Sequence, residues 1–227
     1  MKRVARLALA AFAASFVGAI ARADDLYLYW PLNEGTGAST ATLGTAAAGS
    51  ATVNNDLTGG LGGGGAAWIT GDALRGTVIS GNGNNGSSAF VTTQGVPSAV
   101  YNGDWTISGW VQLSGGGSGG NDVVLGNRFG GPGGNWAKLT PTNFEWRPSG
   151  GGNVNITDIP SDSTWRQFTI TKSGSNFDAY INGSLNASAS FAQTFPAGTV
   201  PFFIGGDSGG ERPEGRYDDV GFFNAAL

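Results

Sequence analysis

Asp218 and Asp219 sit side by side just ahead of an apolar run, Val220–Phe223. Acidic pairs are poor strand formers, so a strand that starts with one needs a reason. Three are open: a bound hard cation, a salt bridge to a residue such as Arg216 or Arg212, or a solvated turn. A second group is aromatic. Trp136, Phe144 and Trp146 lie in short, strand-like segments beside glycine-rich stretches. Aromatic faces stack on sugar rings, which makes these three candidate ligand-binding residues. Packing into a core is the competing reading, since Trp is highly buried on average.

Other chemistry is thinly represented. The 227-residue chain has no histidine and no cysteine. That removes Ser-His-Asp and Cys-His catalysis, histidine-ligated zinc and any imidazole base. A retaining glycosidase needs two carboxyls about 5 Å apart. Glu145 has no second carboxylate two residues away, and Glu211 and Glu214 fall in a Gly/Pro-rich stretch. No catalytic residues are therefore assigned. The glycine runs are not followed by a helix, so they do not read as phosphate cradles.

The elements that must position these residues are strands. Glycine is abundant (41), charged residues are sparse (12%) and aromatics make up 11%. Glycine runs alternate with short segments rich in Val, Ile, Thr, Phe, Tyr and Trp, as in an all-β sandwich or barrel. In Trp105–Leu113, the residues Trp105, Ile107, Gly109, Val111 and Leu113 share one face, with Trp110 on the other. Trp165–Lys172 alternates in the same way. Phe177–Ile181 and Ser184–Ser190 flank Asn182-Gly183, the preferred pair for a two-residue type I′ hairpin. Ala73–Ser80 and Ser88–Thr93 read as a strand pair around a turn at 81–86. Residues 38–66 read as a long loop with one short strand near Val53.

The chain begins with a basic segment (Lys2, Arg3, Arg6), an apolar run Leu7–Ile20 and the small-x-small tripeptide Ala21-Arg22-Ala23. This is the pattern of a signal peptide over residues 1–23. A secreted, periplasmic or cell-surface protein starting at Asp24 is expected, without membrane insertion. Four of the 12 basic residues precede Asp24, which leaves 8 against 16 acidic ones, or −8. That balance argues against nucleic acid as a partner.

In order, YWPLNEGTG, GDWTISGWVQL, STWRQFTITKSGSNFDAYINGS and FFIGGDSGGERPEGRYDDVGFFNAAL resemble the laminin-G-like branch of the concanavalin A-like jelly rolls. The resemblance spans roughly residues 26–227. It implies an all-β, two-sheet antiparallel β-sandwich in which the first and last strands, Leu26–Leu32 and Gly215–Phe223, lie side by side. That neighbourhood would bring Asn33 and Glu34 to Asp218 and Asp219 as a structural calcium site. The chain lacks the Asp-x-Ser-Gly turn that often helps relatives to hold calcium. The resemblance further implies a non-enzymatic recognition or adhesion module for carbohydrate or an extracellular protein. The alternatives are a polysaccharide-active glycosidase or lyase and a purely structural surface or matrix protein. The Glu-x-Asp-x-x-Glu strand of some enzymes with this fold is absent.

Overall fold

The computed structural model describes residues 26–37, 39–46, 50–55, 67–82, 89–92, 95–115, 122–127, 131–157, 159–206, 211 and 213–227. The expected signal segment, Arg212, all of the glycine run at 59–65 and most of the turn at 81–86 lie outside these residues.

Two large antiparallel sheets make up the fold, with strands numbered here in chain order. The first sheet runs Ser184–Ser190 (β15), Asn176–Ile181 (β14), Arg166–Ser173 (β13), Trp105–Gly115 (β8), Glu214–Phe223 (β18), Gly76–Asn82 (β5) and Ala67–Asp72 (β4). Leu26–Trp30 (β1) also pairs with β18. The second runs Gly152–Asn155 (β12), Asn143–Trp146 (β11), Ala137–Leu139 (β10), Leu125–Gly126 (β9), Phe203–Ile204 (β17), Ala89–Thr92 (β6), Ser50–Asn55 (β3) and Ser39–Ala41 (β2). Val96–Pro97 (β7) and Thr199–Val200 (β16) form a two-residue ladder. The one α-helix among the described residues is the single turn Ser98–Asn102 (α1). None of the described helices is long and apolar enough to cross a membrane.

Period-2 patterning explains how the sheets meet, because alternate side chains point to opposite faces. In β8, Trp105, Ile107, Val111 and Leu113 are buried, while Trp110 on the other face is half-buried. Phe168 and Ile170 of β13 do the same, as do Leu139, Phe144 and Trp146 across the gap. Gly109 is on the inner face because two side chains need its place. A Cβ there would stand 2.9 Å from Phe168 Cζ and 3.0 Å from Val220 Cγ2. The core centres on an aromatic cluster: Trp146 is 5.0 Å from both Phe177 and Phe195, and Trp105 lies 5.8 Å from Phe222 between ring centroids. Those spacings suit tilted and edge-to-face rings. The Asn182-Gly183 hairpin forms as expected, with φ of 51° and 77°.

One expected pairing is different. β5 does not pair with β6; β5 lies between β4 and β18, and β6 lies between β3 and β17 in the opposite sheet. The chain crosses from one sheet to the other between them. The stretch expected as a loop with one strand near Val53 contains that strand, β3, and a second one, β2, paired with it.

Candidate functional site

The first and last strands do lie side by side, with Leu26 opposite Phe223 and Trp30 opposite Val220. This pairing explains the acidic pair. One edge of β18 runs along β8. Its other edge changes partner midway, from β5 at Glu214–Tyr217 to β1 at Val220–Phe223. Asp218 and Asp219 sit at that seam, in a bulge that puts Asp219 at φ 50°. Bulges re-aim side chains, and here both carboxylates meet one guanidinium. Arg75, in the turn between β4 and β5, donates from Nε to Asp218 Oδ2 at 2.7 Å and from Nη2 to Asp219 Oδ2. Its guanidinium also stacks 4.5 Å above the Trp110 ring. Tyr29 of β1 donates its hydroxyl to Asp219 Oδ1. Burial, together with that carboxylate, pushes the Tyr29 phenol up. Burial and the neighbouring Asp219 charge outweigh Arg75 at Asp218, whose pKa is pushed up to about 7.

Arg216 does not hold Asp218. Its Nη1 donates to Asp72 Oδ2 at 2.6 Å. Burial alone would raise the Asp72 pKa, but the amides of Leu74 and Arg75, with Arg216 and the Trp165 indole, hold it below the ordinary carboxylate value.

The four residues expected to hold calcium do not assemble. Calcium takes about six to eight oxygens. The cation facing Asp218 and Asp219 is Arg75. Glu34 Oε1 instead accepts from Thr40 Oγ1 at 3.1 Å and from the Ala41 amide at 2.7 Å, and Asn33 is exposed. Among the described residues, no three acidic, His or Cys side chains converge as a metal site. These donors do not fit a calcium ion.

The aromatic candidates divide. Phe144 and Trp146 are not ligand platforms: both are fully buried on the inner face, with Trp146 Nε1 donating to Gln193 O at 2.9 Å. A ring with no exposed face cannot stack on a sugar. Trp136 precedes β10 by one residue and therefore has the opposite orientation. It is half-buried on the outer face, and its Nε1 donates to Glu145 Oε2 at 2.7 Å.

Around Trp136, the register of β10, β11 and β12 assembles two rows on that outer face. Lys138 is opposite Glu145, which is opposite Asn153. One step along, Trp136 neighbours Arg147, whose amide donates to Trp136 O at 2.9 Å. Lys138 Nζ stands 3.4 Å from Glu145 Oε1 and 2.9 Å from Glu211 Oε2. Arg147 donates to Gly151 O at 3.0 Å and to Asn153 Oδ1 at 2.5 Å, and its Nε lies 3.8 Å from Glu145 Oε2. Glu145 thus pins the indole while Lys138 and Arg147 hold Glu145. Sequence reasoning reached Glu145 and Glu211 only as isolated carboxylates and missed Lys138, Arg147 and Asn153. The usable signal was the short connection Thr140-Pro141-Thr142. It makes Ala137–Leu139 and Asn143–Trp146 a hairpin and so sets Lys138 across from Glu145.

A family model described as the concanavalin A-like lectin/glucanases superfamily, of the laminin G type, matches residues 82–227. No curated protein matches the sequence. Among solved structures, the binding domain of Paraclostridial Mosquitocidal Protein 1 is similar at TM-score 0.61 and 16% identity, over 90% of this chain and 50% of that one. Trypanosoma rangeli sialidase in complex with sialic acid is similar at TM-score 0.61 and 15% identity, over 92% and 32%. Domain 4 of AbnA, a GH43 extracellular arabinanase from Geobacillus stearothermophilus, in complex with arabinotriose, is similar at TM-score 0.59 and 18% identity, over 89% and 95%. At these identities the likeness is one of fold. The chain spans half of the first of these proteins and about a third of the sialidase, but nearly all of the arabinanase domain.

Proposed function

Because the chain belongs to the laminin G-like branch of the concanavalin A-like lectin/glucanases superfamily, we propose that it is a non-catalytic carbohydrate-recognition module. It acts outside the cytoplasm, with the Trp136 face of the second sheet as its binding surface. The observation that carries this reading is the Trp136 indole: half-buried, fixed by Glu145 and next to Arg147, which in turn holds Asn153. A ring held in one orientation loses little freedom when a sugar stacks on it. Two related folds support the reading, one being a binding domain and the other a domain complexed with arabinotriose.

The ionic arrangement weighs against hydrolysis. Glu145 and Glu211 share the Lys138 ammonium. Glycoside hydrolysis needs two carboxyls turned to the scissile bond, and both of these are engaged by Lys138. Export rests on the residue pattern before Asp24.

A glycan array or affinity electrophoresis against soluble polysaccharides tests the proposal. Wild-type protein is expected to bind at least one glycan, and Trp136→Ala to weaken that binding by about tenfold, the loss of one stacking contact. Retardation by no glycan, or hydrolysis of one, overturns it.

A further inference from the structure

We infer that the ligand of the Trp136 face is an uncharged glycan, and that Arg147 serves to orient Asn153 rather than to capture an anion. This inference rests on the carbohydrate reading above and specifies the class of sugar.

An acidic sugar is recognised by a cation that can turn donors toward it, and a bidentate guanidinium fork is the strongest form of that contact. Neither cation of this face is disposed to do so. The Lys138 side chain is 4% exposed and lies between Glu145 and Glu211. Arg147 is more accessible, but each of its nitrogens faces a protein acceptor: Gly151 O, Asn153 Oδ1 and Glu145 Oε2. A carboxylate or sulfate could take only the second N–H of each Nη, and the reward would be small, because the Glu145 carboxylate stands 3.8 Å from Nε of the same guanidinium. Formally, the two cations and two carboxylates of the cluster cancel. The net charge of −4 on the whole chain adds a long-range repulsion for polyanions.

What the face does present suits hydroxyls and pyranose or furanose faces. Arg147 takes the Asn153 Oδ1, and that fixes which end of the amide remains for a ligand. Asn153 Nδ2 is left to donate to a sugar hydroxyl beside the Trp136 ring. A face whose charges are satisfied internally, with an aromatic plane and an oriented amide at its surface, discriminates by stacking and neutral hydrogen bonds.

The test is a matched panel of neutral polysaccharides (arabinan, galactan, xyloglucan) and acidic ones (polygalacturonate, alginate, heparin). Each is titrated by calorimetry between about 0.1 and about 1 M NaCl, where the Debye length falls from about 10 to about 3 Å. The expected result is binding to a neutral polymer with affinity changing less than about twofold across that range. Asn153→Asp should weaken it about fivefold, one neutral hydrogen bond, with thermal melts showing that the variant is folded. Preference for an acidic polymer, with affinity falling tenfold or more in salt, overturns this inference and leaves the carbohydrate reading standing. Binding to neither class overturns the carbohydrate reading itself. Neutral binding untouched by both Trp136→Ala and Asn153→Asp also overturns the inference, because the site is then elsewhere.

Discussion

Arg75 reaches Asp218 at 2.7 Å from a turn 143 residues earlier in the chain. The contact closes the seam where β18 exchanges β5 for β1. The Asp218 side chain is only 6% exposed, and without Arg75 its buried carboxyl loses its charged hydrogen-bond partner while still facing Asp219. Arg75→Ala should therefore destabilise the fold by about 3 kcal/mol, as read by urea unfolding at neutral pH. A loss below about 1 kcal/mol would assign the pair the weight of a surface salt bridge.

The same carboxylate makes stability depend on pH. An unfolded aspartate titrates near 3.8, and folded Asp218 near 7. Between those values the folded state holds a proton that the unfolded state has lost, so this contribution falls as pH rises through the window. It is fully present below about 4 and gone above about 7. The charged groups facing Asp218 are Asp219 and Arg75, with Tyr29 beyond. Asp72 acts in the opposite sense at lower pH. Held below its usual value, it contributes stability above about 3.8 that is lost on further acidification. Asp218→Asn should flatten the dependence of Tm on pH between about 4 and 7. An unchanged slope would remove Asp218 as its source.

Two tryptophans ten residues apart should behave in opposite ways. Trp146→Ala empties the centre of the aromatic cluster and is expected to cost about 3–5 kcal/mol. Trp136→Ala should cost less than about 1.5 kcal/mol, a single hydrogen bond and some half-buried area, while it is the one that weakens glycan binding. Equal stability losses would place Trp136 in the core as well.

Chelation followed by millimolar calcium should leave the thermal midpoint where it was, because a ligand that binds only the folded state would raise it. A clear rise would show that Asp218 and Asp219 accept calcium despite Arg75.

Much of the architecture was legible because it is local. The alternation in Trp105–Leu113 identified its inner face residue by residue, and Asn182-Gly183 specified its turn. Pairing between distant strands is not local. Ala73–Ser80 and Ser88–Thr93 each read as strands, yet nothing in their own residues says that β5 and β6 enter different sheets. The site was harder still. Period 2 divides Phe144, Glu145 and Trp146 between two faces without saying which face is inward. The buried face was settled by Lys138, whose opposition to Glu145 puts a charged pair outward. Arg216 was the natural partner for Asp218 at two residues' distance along the strand. It was taken instead by Asp72, from the end of β4, a strand that local reasoning could not bring near.

The antiparallel match of Leu26 with Phe223 has a mechanical meaning. Chain leaving this fold at either side departs from the same corner. Tension applied across the two flanks would open β1 from β18 like a zip, one pair after another, rather than shear the ladder all at once. The seam at Asp218 and Asp219, clamped by Arg75 and Tyr29, is where that peeling would stall.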